Sequence, residues 1–335
     1  MTVTRASVNE MMRAYKKTSL LRTAVELGVF DAVHGGADTA AAVAERAGAD
    51  PRGMRILLDA LAAVGLLTAG GERYALADGA ADVLVSSAPG YLGDMTRVVV
   101  SRFEWDSLGR LADAVRHGGT VEEQNAETPG FAYWETFAEY ASAVTLPTAK
   151  VMGDLLEPWA AGRDPLSILD VACGHGLYGF TLARRFPQAR VTGLDWDNVL
   201  PITEKHAVEL GVHDRAGFIA GDMFEVDYAG PHDLVLVTNV LHHFDEERCT
   251  ELLTRAARAL KPGGRLGVVS FVRDGAPAED PEPYLFSILM LSWTAAGEVH
   301  SQQAHHDMIT NAGFTNIVQR QVPGLPFHVL VAERA

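Results

Sequence analysis

The densest chemical signal in the chain is the stretch Ile168-Leu169-Asp170-Val171-Ala172-Cys173-Gly174-His175-Gly176. An apolar run ends on an acid, turns through a Gly-x-Gly loop read from Gly174 and Gly176, and opens into the apolar-periodic segment Leu177 to Phe186. That order predicts a strand, a tight loop and a helix. Glycines there let backbone approach a ligand closely, and the helix start offers unpaired N–H groups. A second strand, Ala189 to Leu194, ends on Asp195, where an acid takes both hydroxyls of a ribose. Together these predict a nucleoside site. A separate signal is the pair His242-His243, which with His300, His305 or His306 could set two imidazoles and a carboxylate around a metal. On a helical wheel His305 faces inward with Ala304, Met308 and Ala312, while His306 points out, as on an ordinary helix.

These residues need a scaffold, and the pattern supplies one. From about residue 153 strands and helices alternate, which predicts a parallel α/β sheet. The strands are Ser167 to Val171, Arg190 to Leu194, Ala216 to Ala220, Leu234 to Asn239 and Arg265 to Phe271. The last of these follows a helical stop at Lys261-Pro262-Gly263-Gly264, and Asn316 to Gln321 and His328 to Ala332 form a closing pair. The amino-terminal part reads differently. Residues 8 to 33 are helical, Thr39 and Asp50 start two further helices, and a hairpin spans Leu66 to Leu76 around Gly70-Gly71. Helix, helix, helix, hairpin is a winged-helix layout. Between the two parts, residues 91 to 152 are helical and rich in rings. Most of these pack as core, and Trp105, Phe137 and Tyr140 are the candidates for a pocket wall.

Composition narrows the function classes. The 335 residues carry a net charge of −15, so nucleic acid and anionic membranes are disfavoured partners. The would-be recognition helix of the winged layout has only Arg52 and Arg55, beside Asp59, far from a basic footprint. Its opening helix instead shows apolar residues around much of its circumference, which suits a dimer interface. Two cysteines, Cys173 and Cys249, indicate no disulfide framework, and no leader or spanning segment is visible. The expected setting is cytoplasmic.

With these residues in view, the carboxy-terminal half resembles a class I S-adenosylmethionine-dependent methyltransferase. The whole chain resembles the small-molecule O-methyltransferase family that adds an N-terminal winged-helix dimerisation domain. The matching segments are Leu169 to Gly176, Asp195, Gly221-Asp222-Met223-Phe224, Asn239 to Phe244, and Leu260 to Gly264. The resemblance implies a Rossmann-like seven-stranded α/β sheet over 153–335, a winged-helix-like dimerisation domain over 1–95, and a helical connector over 96–152 that contributes to the substrate pocket. It implies S-adenosylmethionine as cofactor, S-adenosylhomocysteine as product, a small-molecule substrate and a homodimer. Gly174 and Gly176 would pack against the methionine part and ribose, and Asp170 would hold the loop or the ammonium group. Asp195 would bind the ribose hydroxyls, with Trp196 against the adenine. Asp222 would accept from the adenine amino group, Met223 and Phe224 would pack on the ring, and Asn239 would complete the cofactor set.

In this family a histidine just past strand four removes the acceptor's proton, and His242 stands at that place. His243, Met290 and Trp293 fall where substrate contacts are expected. The expected reaction is methyl transfer to a hydroxyl of an aromatic or polyketide-like natural product. Two departures are visible. His242-His243-Phe244 replaces the usual His-Asp-Trp, and Val299 stands where an orienting glutamate is expected, with Glu298 one residue away. Two rival expectations follow: a metal-assisted C-methyltransferase acting on a 2-oxo acid, and a winged-helix ligand-sensing regulator.

Overall fold

The computed structural model describes residues 2–142 and 145–335. The chain divides into two compact units, Met1–Arg102 and Phe103–Ala335, so most of the expected connector 96–152 falls within the second.

The first unit is built from α1 (Arg5–Glu26), α2 (Val29–His34), α3 (Ala40–Ala47), α4 (Pro51–Ala63), the hairpin β1 (Leu67–Gly70) and β2 (Arg73–Leu76), then α5 (Ala80–Leu84) and α6 (Thr96–Val99). The helix expected over residues 8 to 33 is split, because Gly28 takes a left-handed conformation between α1 and α2. Thr39 and Asp50 cap α3 and α4, each accepting a backbone N–H, and Pro51 occupies the first turn of α4. Phe30, Met54, Leu58, Leu61, Leu67 and Tyr74 form its core. Helix α1 contributes only Ala24 to the fully buried set.

The second unit opens with α7 (Arg102–Gly109), α8 (Leu111–His117), α9 (Tyr133–Tyr140) and α10 (Thr145–Ala160). The alternating part follows as β3 (Leu166–Val171), α11 (Leu177–Arg185), β4 (Ala189–Asp195), α12 (Leu200–Glu209), β5 (Ala216–Ala220), β6 (His232–Thr238), α13 (Glu246–Ala259) and β7 (Leu260–Phe271). It closes with α14 (Glu282–Trp293), α15 (Gln302–Asn311), β8 (Phe314–Gln321) and β9 (Phe327–Arg334). Strand β7 begins earlier than expected, because Leu260 already pairs with His232 before the Pro-Gly-Gly stretch.

The seven strands lie in the order β5-β4-β3-β6-β7-β9-β8. The strands from β5 to β7 are mutually parallel, and β9 runs antiparallel to both β7 and β8. Alternation along β3 sends Leu169 and Val171 into one core and Leu166 and Ile168 into the other, one on each face. The order reverses between β3 and β6, and the crevice beyond the carboxyl ends of those strands is where such sheets take ligands. Among the described residues no helix is long and apolar enough to cross a membrane.

Candidate active site

Asp170, the glycine loop, Asp195 and Asn239 meet at the carboxyl ends of β3, β4 and β6. Gly176 caps α11 with φ +70°, and a Cβ there would strike the ring of Phe180 and lie 2.8 Å from Thr203. Gly179 completes a Gly-x-Gly-x-x-Gly spacing with Gly174 and Gly176, which corrects the reading of the loop as a Gly-x-Gly turn lacking the fuller spacing. Its missing Cβ lets α11 approach Val191 and lets its N–H reach Asp170 Oδ2 at 3.0 Å. Ala172 and Asn239 also adopt left-handed backbone, at φ 52° and 55°. Such strain gathers where chain ends converge on a ligand.

The two acids are buried. Asp195 accepts the Gly174 N–H at 2.7 Å and the Trp196 N–H at 2.8 Å, one on each oxygen. Each oxygen keeps a lone pair, enough for two hydroxyl groups. Burial pushes its carboxyl up to about 6 against those two bonds. Asp170 is pushed up to about 7, chiefly by burial and further by Asp195, while the Gly179 N–H pulls the other way. Its Oδ1 and the Oδ1 of Asn239 are buried without a hydrogen-bond partner, and the Asn239 amide donates to Tyr178 at 3.1 Å. Two half-compensated carboxyls and two orphaned acceptors suit a ligand that brings a cation and donors, as the ammonium and ribose of S-adenosylmethionine do. The donor set fits the cofactor.

His175, in the middle of the loop, is a residue that sequence reasoning passed over. Its Nδ1 accepts the Leu177 N–H and its Nε2–H donates to Thr145, both at 3.1 Å, which defines a neutral tautomer. Burial holds its imidazole down at about 3. Phe137 stacks on it at 6.1 Å and 18°, and lies 3.8 Å from where a Gly174 Cβ would sit. Phe137, expected in the substrate wall, thus lies against the glycine loop. The remaining expected residues fall variously. Asp222 caps its own turn, accepting the Phe224 N–H at 2.8 Å. Phe224 belongs to the hydrophobic core and carries the Arg248 guanidinium 3.5 Å above its ring. Met223 packs on the edge of that core, and Trp196 is half-buried. Trp105 lies on α7 and is 37% exposed, and Tyr140 ends α9.

His242 sits in a short turn after β6, and is 3% exposed. Burial, then the neighbouring His243, His300 and His305, hold its pKa well below the ordinary value. Its ring meets His243 at 4.5 Å, Phe286 at 5.0 Å and Phe271 at 5.9 Å. Phe286 is therefore the α14 ring that reaches the histidine. Met290 is buried on the same helix, and Trp293 stacks edge-on with Tyr133 at 4.6 Å while donating to Ser107. Trp293 also borders a cleft of about 580 Å³ with Phe103, Ser107, Arg110, Glu122 and Phe131. His243 donates from Nδ1 to the Val240 carbonyl and meets the Trp134 ring at 5.4 Å. Glu298 turns to Arg273 at 3.2 Å, and Val299 is fully buried. His305 is buried as the helical wheel predicts, and His306 bonds to Gln319. Among the described residues no group of three or more His, Cys, Asp or Glu side chains is placed to hold a metal ion.

Comparison with known proteins finds matches over both parts of the chain. Residues 108–315 match the O-methyltransferase domain model, and residues 9–87 match the O-methyltransferase dimerisation domain model. Acetylserotonin O-methyltransferase of Mus musculus is 30% identical over 350 residues, covering 97% of this chain and 87% of its own. The tetracenomycin polyketide synthesis 8-O-methyl transferase TcmO of Streptomyces glaucescens is 29% identical, covering 94% of this chain and 93% of its own. A Nostoc punctiforme protein, an O-methyltransferase by assignment only, has a crystal structure that superposes with a TM-score of 0.91 at 32% identity, covering 99% of this chain and 100% of that one.

Proposed function

This chain belongs to the S-adenosylmethionine-dependent O-methyltransferase family that carries a dimerisation domain, and from that premise we propose that it methylates a hydroxyl of a small aromatic or polyketide-like natural product with His242 as general base. The observation that carries the reading is His242 itself, a neutral buried imidazole beside aromatic rings, in the turn that follows the strand bearing the cofactor face. S-adenosylmethionine, when bound, supplies a methyl group already activated by its sulfonium.

This chain's residues then have two tasks. Asp195, Gly174, Gly176, Asp170 and Asn239 hold the donor, with Trp196, Asp222, Met223 and Phe224 on the adenine side. Phe286, His243 and Trp134 shape an apolar approach for a flat acceptor, with Met290 and Trp293 behind them. Alignment of the acceptor oxygen with the methyl group is the larger contribution, worth up to ~7–11 kcal/mol in well-oriented systems. His242 Nε2 takes the hydroxyl proton of the acceptor and passes it to solvent; bound S-adenosylmethionine would supply the methyl group that replaces that proton on oxygen and would be left as S-adenosylhomocysteine. The relatives' names, acetylserotonin and tetracenomycin polyketide methyltransferases, set the range of acceptors to test. The working assembly is a homodimer formed through the first unit.

The test is transfer of labelled methyl to a panel of naphthols and hydroxyquinones by the wild type and His242→Ala. We expect turnover to fall by ~10²–10⁴-fold with donor affinity unchanged by calorimetry. A fully active variant removes His242 from the proton transfer.

A further inference from the structure

Behind His242 the protein holds three buried polar atoms with no hydrogen-bond partner: His242 Nδ1, Ser270 Oγ and His305 Nε2. A buried orphan of this kind is destabilising, so three on neighbouring elements call for a common explanation. Their chemistry is complementary. His305 donates its Nδ1–H to the Ser301 carbonyl at 2.9 Å, so the Nε2 of the neutral ring is an acceptor. A hydroxyl donates and accepts. His242 can supply the remaining donor from Nδ1.

Their placement agrees. Ser270 alternates with Val269 on β7 and so shares the sheet face of Val268, which packs in one core with Met308 and Ile309 of α15. His305 lies on that same helix, one turn earlier. Across the ladder Ser270 pairs with His328, and His328 is close enough to His305 to oppose a positive charge there. His305 stands in the same relation to His242. The end of β7 packs against the turn that carries His242, where Phe271, on the face opposite Ser270, meets the His242 ring at 5.9 Å. Of the residues where an orienting acid was expected, Glu298 is engaged by Arg273 and Val299 is apolar.

We propose that His305 is the positioning residue for His242, acting through the Ser270 hydroxyl. His242 Nδ1–H donates to a bound water that reaches Ser270 Oγ, and the Ser270 O–H is relayed in the same way to His305 Nε2, since none of the three atoms has a partner within the protein. One donor, one relay and one acceptor then satisfy all three orphans. The arrangement leaves the His242 Nε2 lone pair facing outward, where a base must present it, and does so without burying an anion. Its catalytic meaning rests on the reading of His242 as base, but the hydrogen-bond chain does not.

The test reads the chain directly, on protein labelled with ¹⁵N-histidine and saturated with S-adenosylhomocysteine. Long-range ¹H–¹⁵N spectra, with His242 assigned by its loss in His242→Gln, should show a pyrrole-like Nδ1 and a pyridine-like Nε2. In His305→Phe and in Ser270→Ala the His242 signals should move toward the opposite tautomer, and His305→Gln, which keeps an acceptor, should restore the first. Calorimetry with S-adenosylhomocysteine verifies that each variant retains the donor site. A protonated Nε2 in the wild type overturns the proposal. So does a His242 tautomer indifferent to both substitutions, and if one variant fails to fold, the other and the wild type still decide. An active His242→Ala enzyme with this tautomer coupling intact would remove the base reading and leave the chain standing.

Discussion

Asp170 and Asp195 end neighbouring parallel strands, and their carboxyls sit above the ordinary range at about 7 and about 6. Groups raised in this way bind protons more tightly folded than unfolded, so their contribution to stability is lost as pH rises through those values. In the proposed donor site a ligand ammonium beside them would reverse the preference. We therefore expect S-adenosylhomocysteine to release protons on binding near neutrality, and its affinity to tighten by up to about tenfold per pH unit for one proton released. Calorimetry in buffers of different ionisation enthalpy counts those protons. Asp170→Asn should lower the count, and binding with no proton release at all would contradict the assignment. The histidines carry the opposite sign. His175 is held at about 3 and His243 and His305 at about 4, so the unfolded chain protonates first and stability falls as pH drops below the ordinary histidine value of ~6.5.

At the scale of elements, the loop between β3 and α11 is pinned from several sides. Thr203 of α12 donates to the Gly174 carbonyl at 2.6 Å, and α9 lies over the loop through Phe137. Asn198 ties the approach to α12 to Glu135 of α9 at 2.8 Å, and Lys205 meets Glu139 at 2.7 Å on the surface. The exposed Lys205 pair contributes little. The glycines contribute much more. Gly176→Ala places a side chain on left-handed backbone against Phe180 and Thr203, which costs at least about 1–2 kcal/mol from the backbone alone. Denaturant midpoints and donor titration should both fall for this variant. Unchanged values would mean that the loop can adopt another path.

At the scale of the molecule, α1 presents Met11, Met12 and Tyr15, each more than half exposed in the single chain. A solvated helix does not ordinarily carry such a patch, and the dimerisation match from residue 9 covers it. We expect sedimentation to give twice the 36.0 kDa chain mass, with Met11→Glu/Met12→Glu shifting it toward monomer. A wild type that sediments as a monomer at micromolar concentration would overturn the dimer.

Much of this protein was legible along the chain. Strand period, helix caps and the loop around Gly174 are set by residues close in sequence, so β3, α11, β4, α13 and the β1–β2 hairpin lie where local pattern places them. Asp195 was readable for the same reason, standing at the end of a strand that the pattern marks, whereas His242, in the turn after β6, was picked out by the family resemblance. What local pattern does not contain is partnership between distant segments. The stacking of Phe137 on His175, the guanidinium of Arg248 over Phe224, and the reach of Phe286 to His242 depend on how helices far apart in sequence cross the sheet. Sequence determined the fold class, the donor loop and the candidate base. Only tertiary packing decided that His242 is buried among His243, Phe286 and Phe271, with its Nδ1 left without a hydrogen-bond partner.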